Sequence, residues 1–271
     1  MPARRLVRTV LVAAFVLASC AESDIAAPPP TSSPASSPAD DSPPTTPATL
    51  PSVVVAGDSI IHDVAPAVEA ALEPAAAAVL SVLSPSLGDP ANRETLLRSA
   101  ARARADVVVV MVGVWERFHT TEAGLQIGDA GFVEAYTSEV LEPLAAALDR
   151  DGRRLLILGP PVLKVPEDQA VVAELEAIWS AYAAATATVH FVDSDRWLGD
   201  AGYAELAPVS GERLRRLDGL HLCAAGAARI TEGLISEVAA VLGTAGVTPS
   251  TDWERGSWTG RFPEDECPPS P

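Results

Sequence analysis

The sequence predicts an α/β fold: a three-layer, flavodoxin-like sandwich in which helices cover both faces of a central parallel sheet of about five strands. Two observations lead to this prediction. Short apolar runs rich in β-branched residues, typical of buried parallel strands, recur at 52–56, 78–83, 106–112, 153–158 and 189–192. Longer segments with apolar residues at helical spacing lie between these runs and after the last one. Strands that alternate with helices in this way form a parallel sheet.

The helical segments can be placed from the same periodicity. The first helix is expected to begin near Pro66, because proline is tolerated in the first turn of a helix and not in its interior. Residues 60–64 are then expected to form a turn. The spacing predicts further helices over 95–104, 131–149, 167–185 and 224–242, the last of which closes the domain.

The N-terminal segment, residues 1–20, has the layout of an export signal. Three arginines precede an apolar stretch at 10–17 that is too short to span a bilayer. The segment ends in Leu17-Ala18-Ser19-Cys20, which resembles a bacterial lipobox. The resemblance implies cleavage before Cys20, lipidation of its sulfur and attachment to the extracytoplasmic face of the cell membrane. An ordinary signal peptide with a chance cysteine is the alternative.

Residues 21–51 are rich in proline, serine and threonine, a composition that cannot bury a core and that favours extended, disordered chain. We therefore expect a linker between the lipid anchor and one folded domain at 52–245. Residues 246–271 are expected to form a C-terminal tail that covers part of the domain surface with Trp253 and Trp258. The expected state is a monomer.

The charge balance limits the classes of partner. The 271 residues include 36 Asp and Glu against 19 Lys and Arg, a net charge of −17. Basic residues cluster only at the extreme N-terminus, so the sequence argues against a nucleic-acid partner and against electrostatic docking on an anionic membrane. No His, Cys or Asp cluster has metal-ligand spacing and no glycine-rich phosphate loop is present, so neither a metal nor another cofactor is expected.

A candidate nucleophile follows the first strand. The run from Ser52 ends in Gly57-Asp58-Ser59, where glycine permits a sharp turn before a helix. Open α/β sheets carry their sites at this carboxyl edge. The pattern therefore places the Ser59 hydroxyl in a position to act as a nucleophile, with Asp58 holding the turn. A plain helix N-cap is the alternative role for Ser59.

A candidate base lies near the end of the domain. Asp218 and His221 share one loop before the last helix, at a spacing that lets the carboxylate bind the imidazole Nδ1 and fix its tautomer. Nε2 is then free to accept a proton from a serine hydroxyl. Ser59, Asp218 and His221 thus supply a complete triad from two loops that can meet at one sheet edge.

These two motifs together resemble the SGNH/GDSL hydrolase family. Gly57-Asp58-Ser59 opens the domain and Asp218-x-x-His221 closes it, so the resemblance covers about 50–245 by order and spacing. It implies the SGNH hydrolase fold and a serine esterase. A weaker resemblance, through the Trp115-Glu116 pair, is to SGNH domains fused to membrane O-acyltransferases that decorate bacterial surface glycans.

The resemblance also implies an oxyanion hole, and here the chain departs from the family. By position Gly88 fits the glycine after the second strand, although Leu87 or Asp89 can supply the amide instead. Gly113-Val114-Trp115-Glu116 matches the family's Gly-x-Asn-Asp block with tryptophan in place of the oxyanion asparagine. Losing one such donor can cost on the order of 3 kcal/mol of transition-state stabilisation.

The roles of Trp115 and Glu116 have more than one possible assignment. The indole or a backbone amide can take over as donor, and Trp115 serves either in packing or as a platform for a sugar ring. Glu116 is expected to be solvated or to contact substrate.

Two cysteines remain once Cys20 is set aside. Cys223 and Cys267 make an even number in an exported protein, which predicts a disulfide. Since Cys223 lies two residues after His221, the bridge would attach the tail to the catalytic loop.

The sequence thus favours a lipid-anchored serine esterase without cofactor, acting on small esters such as the O-acetyl groups of cell-wall or surface glycans, or transferring them to a sugar hydroxyl. The substrate is implied by the resemblance and the expected location only. A non-catalytic glycan-binding or assembly lipoprotein that kept the triad scaffold is the second hypothesis, raised by the missing asparagine.

Overall fold

The structure, a computed structural model, describes residues 51–73, 78–83, 86–199, 203–243 and 249–269. The expected signal segment, the lipidation site at Cys20 and all but the last residue of the expected linker lie outside the described residues.

Within these ranges the sheet contains five parallel strands: β1 (Ser52–Gly57), β2 (Ala78–Leu83), β3 (Val107–Met111), β4 (Arg154–Gly159) and β5 (Val189–Asp193). Their order is β2-β1-β3-β4-β5 and every neighbouring pair is parallel. The predicted α/β class with about five parallel strands is confirmed. Because β1 has β2 on one side and β3 on the other, the carboxyl end of β1 is the point where the winding of the sheet reverses, which is where such sheets bind ligands.

The first two helices differ from the prediction. Helix α1 (Ser59–Leu72) begins directly after the turn and continues through Pro66, so the expected turn at 60–64 is wrong. The Asp58 carboxylate caps the helix by accepting the Ile60 N–H at 3.0 Å, and the buried face of α1 compensates for the hydrogen bond that Pro66 cannot donate. Helix α2 (Pro90–Ala103) starts earlier than predicted because Asp89 caps it and proline fits its first turn.

The remaining helices lie close to the predicted positions. The segment predicted at 131–149 consists of α3 (Phe132–Tyr136), a π-helical stretch (Thr137–Leu141) and α4 (Glu142–Asp149). They are followed by α5 (Pro166–Ala185) and by α6 (Ala224–Leu242), which closes the domain. Among the helices of the described ranges, none is both long and apolar enough to cross a bilayer.

The two faces of the sheet bury separate apolar clusters, which creates the three layers. Val53 and Val55 pack on one face with α1 and α6, and Val54 and Ala56 pack on the other with α2, α4 and α5. Alternate side chains of a strand point to opposite faces, so a run that is apolar at every position is what a doubly covered sheet requires. The tail adds Trp253 and Trp258, 7% and 5% exposed, to the cluster of α1 and α6.

Candidate active site

The turn after β1 depends on a glycine. Gly57 has φ +148°, and a Cβ built there would lie 1.8 Å from the Met111 carbonyl oxygen. No other residue fits between β1 and β3 at this point. The same carbonyl accepts the Asp58 N–H at 3.1 Å, which directs the chain out of the sheet and into α1. Ser59 therefore lies at the carboxyl edge, half-buried, at the first position of the helix.

Asp58 is fully buried beneath this turn. Its carboxylate oxygen caps α1 through the Ile60 N–H, as the sequence predicts for a residue that holds the turn. Burial raises the pKa of Asp58 from 3.8 to about 6, against the opposing effect of backbone hydrogen bonds and of His221. Asp58 therefore stabilises the turn and the start of α1, and its raised pKa is about 6.

The structure brings Ser59, His221 and Asp218 into one hydrogen-bonded chain. His221 Nε2 lies 2.7 Å from Ser59 Oγ, and His221 Nδ1 lies 2.6 Å from Asp218 Oδ2. The two loops that supply them are 162 residues apart in the sequence. This is the arrangement in which an imidazole, oriented by a carboxylate at Nδ1, takes a hydroxyl proton at Nε2.

Asp218 is oriented by its own loop. Its second oxygen, Oδ1, accepts the backbone N–H groups of Leu220 at 2.8 Å and His221 at 3.0 Å. Burial acts to raise the pKa of Asp218, but the hydrogen bonds from the His221 ring and from these two amides outweigh it, so the pKa lies below its usual value. The side chain remains 46% exposed, so water reaches this carboxylate.

A second set of contacts attaches the loop of Asp218 and His221 to α1 and to the tail. Arg216 binds Asp63 of α1 at 2.6 Å and Glu266 of the tail at 2.8 Å, and Asp63 also accepts the Leu222 N–H at 3.1 Å. Since Asp63 lies one helical turn after Ser59, this network fixes the loop that carries His221 relative to the helix that carries Ser59.

Arg215, beside this network, is 1% exposed. It donates to the carbonyl oxygens of Leu220 at 3.1 Å and Val162 at 3.0 Å. Burial lowers the pKa of its guanidinium to about 10. Arg215 thus holds the loop of Asp218 and His221 against the segment that follows β4.

The expected oxyanion donor Gly88 has a different partner. Its N–H donates to Glu116 Oε1 at 2.9 Å and also approaches Ser86 Oγ at 3.1 Å. The neighbouring Leu87 N–H donates to Glu116 Oε2 at 2.7 Å. This geometry departs from the expected role of Gly88, because its only amide hydrogen is held by a carboxylate. It also corrects the expectation for Glu116, which is 1% exposed and not solvated.

The loop after β3 presents its aromatic side chains outward. Trp115 is 54% and Phe118 62% exposed, with ring centroids 6.2 Å apart. Exposure of this extent disagrees with the packing alternative for Trp115. Gly113 is buried, and a Cβ there would lie 2.6 Å from the Pro160 ring, so close packing requires the glycine. Nothing in the described contacts makes its amide an oxyanion donor.

The predicted disulfide is present between Cys223 and Cys267. Cys223 immediately precedes α6. The bridge is accompanied by a backbone hydrogen bond of 3.0 Å from the Leu217 N–H to the Glu266 carbonyl. The tail is thereby attached on both sides of the Asp218–His221 segment. Within the described part of the chain, no group of three or more His, Cys, Asp or Glu side chains is placed to hold a metal ion.

The roles of two groups of residues were not predicted from the sequence. Arg215 and the Asp63–Arg216–Glu266 network left no signal beyond ordinary surface charge. Glu116 did leave one, because it occupies the acidic fourth position of the Gly-x-Asn-Asp block. An acid at that position can also face inward toward backbone amides, as it does here.

Comparison with known proteins finds one matching family model and several similar solved structures. The model of the family described as "Protein of unknown function (DUF459)" matches residues 52–237. No curated protein matches the chain in sequence.

Similar solved structures include a carbohydrate acetylesterase from Sinorhizobium meliloti, with 17% identity, TM-score 0.48 and coverage of 70% of this chain and 99% of that one. An acetylxylan esterase from Geobacillus stearothermophilus has 14% identity, TM-score 0.47 and coverage of 71% and 96%. An alpha/beta hydrolase from the metagenome of Lake Arreo has 20% identity, TM-score 0.49 and coverage of 71% and 97%. The identities are 20% or less and the TM-scores are below 0.5, so these likenesses carry no argument about the activity of this chain.

Proposed function

The chain belongs to the DUF459 family, and from the geometry of its site we propose that it is a serine ester hydrolase. One observation carries the proposal: the continuous hydrogen-bonded chain from Ser59 Oγ through His221 to Asp218, with contacts of 2.7 and 2.6 Å. A helix N-cap role for Ser59 would require neither contact. The cap of α1 is supplied by Asp58 instead, which leaves the Ser59 hydroxyl for chemistry.

The proposed reaction proceeds through an acyl-enzyme. Ser59 Oγ attacks the ester carbonyl while His221 Nε2 takes its proton, and Asp218 stabilises the imidazolium that forms. His221 then gives the proton to the leaving alcohol, and the acyl group remains on Ser59. Water, deprotonated by the same imidazole, attacks the acyl-enzyme and releases the acid. Because Ser59 is the first residue of α1, its N–H belongs to the unpaired amides at the positive end of the helix, next to the developing oxyanion.

We propose small acyl groups on surface or cell-wall glycans, such as O-acetyl, as the substrate. Trp115 and Phe118 support this, since an exposed aromatic pair on the loop after β3 offers an apolar face to a sugar ring. The sequence around Cys20 supports an extracytoplasmic, membrane-anchored location, which puts the site within reach of such glycans. Transfer of the acyl group to a sugar hydroxyl uses the same acyl-enzyme and differs only in the acceptor.

A second candidate function is non-catalytic glycan binding on the same scaffold. The observation that favours it is the Gly88 amide, which donates its hydrogen to Glu116 at 2.9 Å. The site also lacks the oxyanion asparagine of SGNH/GDSL hydrolases. A hole with fewer donors stabilises the tetrahedral intermediate less.

The test uses the whole chain with Cys20→Ser, assayed for hydrolysis of p-nitrophenyl acetate and for labelling by a fluorescent phosphonate. Ser59→Ala and His221→Ala are each expected to reduce kcat/KM by roughly 10³-fold or more, and Ser59→Ala should abolish labelling. Ser138→Ala, an exposed serine whose hydroxyl only contacts the Ala135 carbonyl, is the matched control and should behave as the parent.

The outcomes separate the candidates. No turnover and no labelling of the parent protein would contradict the hydrolase and favour glycan binding. Turnover that rises with an added sugar acceptor, together with an acetylated product, would identify a transferase. Incorporation of radiolabelled palmitate that is lost in Cys20→Ser would support the lipid anchor, and incorporation that survives the substitution would contradict it.

A further inference from the structure

Glu116 is a buried carboxylate to which the proposed reaction gives no role. Its oxygens accept three hydrogen bonds: from the Leu87 N–H at 2.7 Å, the Gly88 N–H at 2.9 Å and the Tyr136 hydroxyl at 2.6 Å. Burying a charge is costly unless donors surround it. Glu116 is 1% exposed, and its three donors satisfy the carboxylate in its buried position.

The position of Glu116 relative to β1 gives it a function in the site. Glu116 follows β3, whereas Leu87 and Gly88 follow β2, and β1 lies between these two strands. With strands about 4.8 Å apart, β2 and β3 are separated by roughly 10 Å. The Glu116 side chain therefore joins the two loops on either side of the carboxyl end of β1, where Ser59 lies.

The loop after β2 is held from its other side as well. Arg93 of α2 donates to the carbonyl oxygens of Leu87 and Gly88. The amides of this short segment thus face Glu116 while its carbonyls face Arg93. A peptide segment fixed at both its donors and its acceptors has little freedom to reorient during a reaction.

The contact also decides which amides serve the oxyanion. Gly88 has one amide hydrogen, and Glu116 already accepts it. An oxyanion approaching the same hydrogen would meet the negative charge of Glu116 at close range, and like charges repel strongly in a site of low dielectric. The Ser59 N–H, at the start of α1, carries no such competitor in the described contacts.

We infer that Glu116 is a positioning residue of the esterase site: its carboxylate clamps the loops after β2 and β3 across Ser59 and commits the Gly88 amide to structure, so that the amide end of α1 holds the oxyanion. The inference rests on the proposed esterase activity. On this inference, the Glu116 side chain is the reason both that Gly88 is not an oxyanion donor and that the loops after β2 and β3 are rigid.

The test compares Glu116→Gln with Ser194→Ala in the Cys20→Ser protein. Glutamine keeps one acceptor but turns an NH₂ group toward a backbone N–H, so one loop must move. We expect kcat for p-nitrophenyl acetate and the rate of phosphonate labelling to fall on the order of 10²-fold, with KM changed by less than about threefold. Ser194→Ala removes a buried hydrogen bond to the Gly159 carbonyl at the ends of β4 and β5, away from the β2-β1-β3 part of the sheet, and should lower Tm without changing kcat.

Glu116→Asp is the second variant, in case the glutamine protein does not fold. It keeps the charge but shortens the reach by one methylene, so it is expected to retain one loop amide and to show a smaller loss of kcat at unchanged KM. A kcat within twofold of the parent, or above it, in a folded Glu116 variant would overturn the inference. Absence of turnover in the parent itself would instead be a failure of the proposed function.

Discussion

Removal of the Cys223–Cys267 disulfide should destabilise the domain by an amount that its loop length predicts. The two cysteines are 44 residues apart in sequence. In the chain-entropy model, closing a loop of this size restricts the unfolded chain by about 4 kcal/mol at 25 °C. For a domain of this size each kcal/mol corresponds to roughly 2–4 °C in Tm, so reduction is expected to lower Tm by about 8–16 °C.

The same change should also act on the catalytic loop. Without the bridge, the tail is held near the loop by the Arg216–Glu266 ion pair, the Leu217–Glu266 backbone hydrogen bond and a hydrogen bond of 3.1 Å from Arg213 to the Pro268 carbonyl. Glu266 is exposed, and an ion pair of this kind contributes only about 0.2–1 kcal/mol. We therefore expect the reduced protein to lose kcat well below its Tm, before global unfolding.

The assay is a thermal melt of the Cys20→Ser protein with and without a phosphine reductant, beside the double variant Cys223→Ala/Cys267→Ala. Reductant should lower the Tm of the Cys20→Ser protein to near that of the double variant and leave the variant itself unchanged. Two free thiols in the denatured, unreduced protein would refute the bridge. A bridge that is present but whose reduction shifts Tm by less than about 3 °C would refute the entropic argument.

Three further substitutions test the site and the turn beneath it. Asp218→Asn should lower kcat by about 10²-fold, the low end for general-base chemistry, since water reaches this half-exposed carboxylate; an unchanged kcat would remove Asp218 from the triad. Gly57→Ala places a methyl 1.8 Å from the Met111 carbonyl and should cost more than about 3 kcal/mol by denaturant unfolding, whereas Gly260→Ala, with open space around it, should change little. Because the folded-state pKa of Asp58, about 6, lies above its ordinary value of 3.8, the folded state binds this proton more tightly. Stability should therefore decline by up to about 3 kcal/mol as pH rises from 4 to 6, and the Asp58→Asn protein should lack that part of the slope; identical slopes would contradict the assignment.

The strands were predictable from sequence because a doubly covered parallel strand is apolar at every position. The run at 106–112, for example, was placed within one residue of β3 at either end (Val107–Met111). The helix starts were less predictable for a physical reason. Pro66 cannot donate one helical hydrogen bond. The apolar contacts of the buried face of α1, which exist only in the folded state, compensate for this loss. Asp89 followed by Pro90 marks the start of α2, but this signal is independent of the apolar periodicity that predicts the helix.

The three side chains Ser59, His221 and Asp218 could be predicted because each occupies a motif whose chemistry demands a specific partner. Glu116 could not be placed on the same basis. Besides the Tyr136 hydroxyl, its partners are two backbone amides 28 and 29 residues away in the sequence. Whether these amides come within reach depends on the lateral order of three strands. A motif made of side chains can be recognised from its residue types. A contact to a backbone amide cannot, because every residue except proline has such an amide.

The exposed indole of Trp115 and the buried carboxylate of Glu116 follow from one local geometry. The two residues enter a short 3₁₀ turn, and the acid faces inward because it finds three donors there, so the tryptophan before it faces solvent. An asparagine at position 115 would therefore add one donor at the mouth of the site but would leave the Gly88 amide on Glu116. A full set of oxyanion donors requires changes at both positions, because the carboxylate that orients the loop is the same group that occupies the second amide.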